Sequence, residues 1–395
     1  MTPDTVQTIL AIESSCDETA AAVVRGRTVL ASIVASQPGV HDAYGGVVPE
    51  LASRRHLEVV DDVIDAALRE AGIDPATAGP GRAPLGIDAI AVTQGPGLIG
   101  ALLVGVSAAK TRAWAWDIPL IAVDHLLGHV ASAQLGSVAH EPDNDGPGEA
   151  RAVSVEESGA VTPPMLCLLA SGGHTLALDV TAGMQLTLLG STRDDAAGEA
   201  FDKGARLLGL SMPGGPALER LAAAGNPGTV PFTPAMVHHH DTLDTSFSGL
   251  KTALAMTLRA QADGVSDGVS DAVSDADIAA SYQAAIVATL AGMARKLLRA
   301  RGPRSGHPDA RDTLAVVGGV AANQALRARL YEICREFDAR LVTVPLRYCG
   351  DNAAMIGVAA FYVHRLNGTS MLQVDAIAAS HLFRSGSLMP TVAIG

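Results

Sequence analysis

Aromatic side chains are scarce: Phe, Tyr and Trp make up 3% of the 395 residues, so any core must be built from smaller groups. Hydrophobic residues still reach 48%, mainly Ala, Val and Leu, and 41 Gly are available for turns. Basic residues are also in deficit, with 28 Lys and Arg against 41 Asp and Glu, a formal charge of −13. Such a surface repels a phosphate backbone, so RNA binding would need a local basic patch or a basic partner. The four cysteines, Cys16, Cys167, Cys334 and Cys349, never fall in a C-x-x-C pair, which excludes that zinc or redox spacing and suits a reducing compartment. No basic cluster precedes the first apolar run, which argues against a secretory signal and for a cytoplasmic chain. The uncharged stretch Ala89 to Ala109 is long enough to span a bilayer, but Thr93-Gln-Gly-Pro-Gly97 interrupts it with polar and turn-forming residues, which argues against a membrane helix. No G-x-x-x-x-G-K-[ST] loop is present, so any nucleotide site is not of the P-loop type.

What the sequence does contain is an alternation of short apolar strands and longer amphipathic segments, the pattern of an α/β protein. Its length favours two lobes. Ile9 to Ile12 and Ala20 to Val24 read as a hairpin with the polar tip Glu13-Ser-Ser-Cys-Asp-Glu-Thr19. Pro49 to Ala71 has helical periodicity, Ile87 to Val92 is a strand, a helix runs over Leu98 to Trp114, and Leu120 to Val123 is the next strand. Residues 136–164 carry Pro, Gly, Glu and Asp with little periodicity and read as an acidic linker. They divide an N-terminal lobe, 1–135, from a C-terminal lobe, 165–395. The second lobe restarts with strands Leu166 to Ala170 and Leu176 to Val180 around Ser171-Gly-Gly-His-Thr175, an echo of the first hairpin that suggests a duplicated core. Within 261–277 the repeat Asp263 to Asp275 has too little hydrophobicity to offset ordering entropy and is expected to be disordered. Strand Leu314 to Val317, Gly318-Gly319, a helix over Asn323 to Phe337, strand Leu341 to Val344 and a closing helix from about Asp351 complete the chain.

Several clusters can carry chemistry. Ser171-Gly172-Gly173 and Gly318-Gly319 follow strands, where glycine lets backbone N–H groups approach a phosphate. With Asp202 and Pro213-Gly-Gly-Pro216 they favour a nucleotide cleft. His125-Leu-Leu-Gly-His129 puts two imidazoles on one helix face, ligand geometry for a divalent metal as well as a spacing that arises by chance. Asp351 could complete a two-His, one-carboxylate set. A zinc protease would need Glu after the first His, where Leu126 stands. His238-His-His240 reads as a loop accident. Asp194-Asp195 and Glu199 to Lys203 read as an acidic helix, either a solvated face or, at Asp202, an acceptor for ribose hydroxyls. Glu13 and Asp17 serve turn chemistry or ligand contact. Arg295, Lys296, Arg299, Arg301, Arg304 and Arg311, with Arg54-Arg55, are the candidate RNA contacts, and a solvated face explains them equally well.

Taken in order, Glu13-Ser-Ser-Cys-Asp-Glu-Thr19, Gly45-Gly-Val-Val-Pro-Glu-Leu-Ala-Ser-Arg54 with His56, Thr93 to Leu98, His125-x-x-Gly-His129, Ser171 to Thr175, Asp194 to Lys203, Phe247-Ser-Gly-Leu-Lys251, Gly318-Gly-Val-x-x-Asn323 and Asp351-Asn352 resemble the tRNA threonylcarbamoyltransferase family along the whole chain. The resemblance implies the two-lobed actin-like fold of sugar kinases, actin and the 70-kDa chaperones. It implies one iron or zinc ion per subunit on His125, His129 and Asp351, brought together across a nucleotide cleft. It further implies adenylate contacts from Leu169, Ala170, Ser171, Gly172, Gly173, Asp202, Gly215 and Asn323. The implied reaction moves a threonylcarbamoyl group from L-threonylcarbamoyl-adenylate to N6 of adenosine 37 in tRNAs that read codons beginning with A. Implied partners are tRNA, a catalytically silent paralogous subunit and a small ATPase, with no membrane. The family pattern differs here at Ala170, where Val is usual, at Gly350 and Ala353, and in the repeat at 263–275. Rival readings are a sugar-kinase-type phosphotransferase, which would have no use for the His pair, a chaperone-like nucleotide switch and a metalloprotease.

Overall fold

The computed structural model describes residues 7–37, 46–135, 138–140, 152–153, 161–234, 242–263, 273–301, 312–364, 368–380 and 382. His238 to His240, most of the 263–275 repeat, Arg304 and Arg311 lie outside these residues. The chain forms two compact units, the first from Met1–Ser137 with Val344–Gly386, the second centred on Val138–Thr343.

In the first unit, β1 (Thr8–Glu13) and β2 (Thr19–Arg25) form the expected hairpin, and β3 (Thr28–Ala35) adds an antiparallel edge. On the other side of β1 lie β4 (Ala89–Gly95) and β5 (Leu120–Asp124), both parallel, giving the order β3-β2-β1-β4-β5. Every residue of β1 is buried, which is why it reads as an unbroken apolar run rather than an alternation. Helix α1 (Pro49–Glu70) buries Val60, Val63, Ile64, Ala67 and Leu68, a stripe at helical spacing, and packs with α2 (Ile99–Trp116). The uncharged stretch from Ala89 is thus split into a strand and a helix, and no helix among the described residues is long and apolar enough to cross a membrane. Strand β5 runs into α3 (His125–Ala131).

The second unit repeats this plan. The stretch expected to be a linker contributes two short strands, β6 (Val138–His140) and β7 (Ala152–Val153). Its Pro, Gly and acidic composition hid them. Strands β8 (Met165–Ala170), β9 (Thr175–Val180) and β10 (Leu186–Ser191) are antiparallel neighbours, while β11 (Thr313–Val317) and β12 (Arg340–Thr343) lie parallel to β8. The order β10-β9-β8-β11-β12 is that of the first sheet, strand for strand and direction for direction, with β6 and β7 added at the edge. Its helices are α4 (Ala197–Leu207), α5 (Gly214–Ala222), α6 (Ser248–Ala262), α7 (Asp275–Arg301) and α8 (Gln324–Glu336). The duplicated core is the two-lobed actin-like plan.

After β12 the chain returns to the first unit. There α9 (Ala353–Ala359) packs on β1, β2 and α3. This differs from the expected single division near residues 136–164. Seven-residue α9 is wholly buried, and its apolar surface is covered by the first sheet, a non-local pairing that no local pattern announces.

Candidate metal centre

Asp124 ends β5 and caps α3: its Oδ1 accepts from the N–H groups of Leu126 at 2.9 Å and Leu127 at 3.4 Å. The cap sets the first turn, so His125 and His129 fall one turn apart with ring centroids 4.6 Å from each other and planes at 80°. Gly128 lies between them for a steric reason, because a Cβ there would come 2.7 Å from Cδ1 of Ile356 on α9. The missing side chain lets α3 approach α9, whose preceding turn carries Asp351. Asn352 holds that turn: its Oδ1 accepts from Met355 N–H at 3.0 Å, while its Nδ2 donates to the carbonyls of Gly350 at 2.9 Å and Tyr348 at 3.2 Å.

Asp351 Oδ1 then stands 3.2 Å from His129 Nε2 and 3.5 Å from His125 Nε2. One ligand atom from each of the three residues lies within 4.8 Å of the other two, a group able to hold a metal ion. The donor set fits such an ion on physical grounds. His129 is 1% exposed, and neither of its ring nitrogens has a hydrogen-bond partner among the described residues, although Nε2 lies 3.2 Å from Asp351 Oδ1. An orphaned buried imidazole is costly without a further ligand. Two imidazole nitrogens and one carboxylate with open positions form a divalent-metal set. All three residues belong to the first unit, whereas the carboxylate was expected from the second lobe.

Behind the trio sits Glu13, 0% exposed at the end of β1. Its Oε2 lies 3.1 Å from His125 Nδ1 and accepts from Thr93 Oγ1 at 2.5 Å, and Oε1 accepts from the Ser15 N–H. Ser15 Oγ is also 3.2 Å from His125 Nδ1. A carboxylate at Nδ1 favours the tautomer that leaves Nε2 free toward Asp351. Burial works against charge on His125, but Asp351 and Glu13 outweigh it and raise its pKa to about 9. Burial likewise works against charge on Glu13, and His125 with the Thr93 hydroxyl holds its carboxyl below the usual range. The tip that follows is pinned by buried His56, which accepts from Thr19 Oγ1 at Nδ1, 2.7 Å, and donates from Nε2 to the Cys16 carbonyl, 2.9 Å. Glu18 in this tip is raised to about 9 by burial, then by Asp17 and Asp351. Sequence reading left Glu13 open between turn and ligand roles; the adjacency of β1 to β4 that decides it is non-local.

In the second unit, Gly318 has φ +91° and a Cβ there would meet the Ala170 carbonyl at 2.4 Å, so the turn after β11 closes directly onto the end of β8. Leu169 and Ala170 are buried, whereas Gly172 and Gly173 border open space. Asp202 Oδ1 accepts from the Gly214 N–H at 3.0 Å, which fixes the start of α5 beside Gly215. Asn323 caps α8 through Leu326 N–H at 2.9 Å and donates to Gln283 Oε1 of α7 at 2.9 Å. The segment expected to be one acidic helix is divided: Asp194 precedes α4 and accepts from Ser246 Oγ, Ser248 Oγ and the N–H groups of Phe247 and Ser248, anchoring the start of α6. Lys203 pairs with Asp195 and Glu199, both at 2.8 Å. Of the basic cluster, Arg295 is taken by Glu336 at 2.6 Å and Lys296 reaches the Thr242 carbonyl at 3.3 Å.

With this geometry in hand, the relatives are informative. The model of the tRNA N6-adenosine threonylcarbamoyltransferase family matches residues 28–147 and 147–358. A protein of that name from Syntrophobacter fumaroxidans is 46% identical over 376 residues, spanning 95% of this chain and 99% of the relative. Another from Thermomicrobium roseum is 45% identical over 390 residues, 94% of this chain and 95% of the relative. Among solved structures, HypF of T. kodakarensis aligns with 91% of this chain and 47% of its own at a TM-score of 0.50 and 14% identity, a likeness of fold alone. Matches of this identity, end to end and through both units, show that the chain belongs to the tRNA N6-adenosine threonylcarbamoyltransferase family.

Proposed function

We propose that this chain transfers the threonylcarbamoyl group of L-threonylcarbamoyl-adenylate to N6 of adenosine 37 in tRNAs reading codons that begin with A, with release of AMP. The observation that carries the reading is the convergence of His125, His129 and Asp351 ligand atoms within 4.8 Å in a chain of this family. These residues would hold one divalent ion, a role their donor set suits, and the family resemblance implies iron or zinc. When bound, such an ion supplies Lewis acidity to the carbonyl of the transferred group.

The remaining work falls to the protein. The N6 amine shares its lone pair with the purine ring and is a weak nucleophile, so positioning and charge stabilisation must supply most of the acceleration. Glu13 holds His125 in one orientation, which removes a rotational freedom from the site. In the second unit, the open backbone at Gly172, Gly173 and Gly215 suits the phosphate of the adenylate, as exposed N–H groups do generally. Leu169, Ala170 and Ser171 would flank the nucleotide, and Asp202 and Asn323 would meet its polar edges. The attacking nitrogen forms its bond to the carbamoyl carbon, the carbon–oxygen bond to the phosphate breaks, AMP leaves with that electron pair, and the proton lost from N6 passes to solvent.

Because the chain carries a charge of −13 and Arg295 of its basic cluster is already paired with Glu336, tRNA affinity is assigned to an assembly with a paralogous subunit and a small ATPase in the cytoplasm. The test is incubation with unmodified tRNA, the donor adenylate and those partners, followed by nucleoside mass analysis. The expected result is modified adenosine with AMP released in equal amount. Transfer of labelled phosphate to a sugar, with the tRNA unchanged, would overturn the reading in favour of a phosphotransferase.

A further inference from the structure

The segment 368–380, a 3-10 helix over Gly368–Gln373 followed by irregular chain, crosses the first unit as a strap. Its first part is anchored in the core, with Met371 and Val374 buried. Lys110 of α2 then donates to the carbonyls of Leu372 and Val374, both at 2.8 Å. Gln94 at the end of β4 bonds it twice, through Nε2 to the Asp375 carbonyl at 3.0 Å and through its own carbonyl from the Ile377 N–H at 2.9 Å. Gly95 must lack a side chain for this crossing, since a Cβ would lie 2.0 Å from the Ile377 carbonyl. Farther along, Ser380 Oγ donates to Asp124 Oδ2 at 2.5 Å and accepts from the Leu382 N–H at 3.1 Å.

Asp124 is the residue that caps the helix bearing both histidines, and its other oxygen is committed to that cap. Beneath the strap lies a cavity of about 200 Å³ bordered by Gln94, Asp124, Leu127 and Ile377. The cavity leaves the strap-facing side of the first turn less closely packed than the side against α9, so there the Ser380 hydroxyl, together with the two cap hydrogen bonds, restrains the Asp124 side chain. We propose that Ser380 is a positioning residue for the metal centre: the strap fixes Asp124, Asp124 fixes the rotation of α3, and α3 sets the two imidazoles against Asp351. This inference rests on the metal reading of His125, His129 and Asp351.

The test is cobalt(II) titration of the purified full-length chain, read by the visible absorption of the bound ion, together with thermal unfolding of the metal-free protein. Wild type should bind one equivalent. Ser380→Ala should bind several-fold more weakly, less than the about tenfold or more that a direct outer partner of a metal ligand contributes. Its metal-free Tm should stay close to that of wild type. Ser380→Thr, which keeps the hydroxyl, should restore affinity. Lys110→Met, which loosens the strap away from the metal, should weaken cobalt binding in the same direction. If wild type binds and Ser380→Ala binds equally well, or Ser380→Thr fails to restore a lost affinity, the positioning role is refuted while the metal site stands. If wild type binds no cobalt, the metal reading itself fails and the inference falls with it.

Discussion

Glu13 and His125 form a buried pair whose effect on metal binding can be stated with a sign. The Glu13 carboxylate accepts at His125 Nδ1 and so raises the basicity of the ring. Glu13→Gln is expected to weaken metal affinity by about 10- to 100-fold, the range for outer partners of ligating histidines, as measured by titration with zinc or cobalt. An unchanged affinity would remove Glu13 from the site. The same pair predicts a pH profile. Asp351 and Glu13 overcome the burial penalty and raise His125 to about 9, so below that value a proton must leave before the ring can ligate. Affinity should therefore climb with pH, by up to about tenfold per unit, and level off above about 9. In Glu13→Gln the levelling should move to lower pH, because one of the two charges that hold the proton is gone.

At the scale of elements, the centre depends on how closely α3 and α9 approach. Gly128→Val would drive a side chain into Ile356 and Met355, at an expected cost of about 1–3 kcal/mol in stability from overpacking. The two helices would separate, and metal affinity should fall with the Tm; a Tm loss alone would mean the helices do not set the ligand spacing. The His pair and the glycine between them were legible in the sequence because helix geometry is local. The partners were not. Glu13 acquires its role from the β1–β4 pairing, and Asp124 from a strap that begins more than two hundred residues later in the chain. Edge strands β3 and β10 escaped sequence reading because they are only partly buried and lack the continuous apolar run of β1 and β8. Asp194 looked like one acid among several, yet its carboxylate gathers the start of α6, a contact spanning more than fifty residues.

For the whole molecule, the division of labour follows the duplicated fold. The proposed metal ligands all lie in the first unit, and the residues proposed for the adenylate all lie in the second. Asp202→Asn keeps the oxygen that accepts from Gly214 but removes the charge. It should raise the KM for the donor by about tenfold, in keeping with a lost charge-assisted hydrogen bond, while leaving the bound metal at wild-type level. Loss of metal in this variant would contradict the assignment. The duplication itself was visible in the echo of the two hairpins with serine-bearing polar tips, but the return of Val344–Gly386 to the first unit was not, since a chain crossing leaves no local signal. The most direct measurement is the metal content of purified wild type beside Asp351→Ala and a His125→Ala, His129→Ala double variant, with circular dichroism to verify folding. One equivalent in wild type and none in the two variants, at matching spectra, is the expected result; a full equivalent retained by the folded double variant would contradict it.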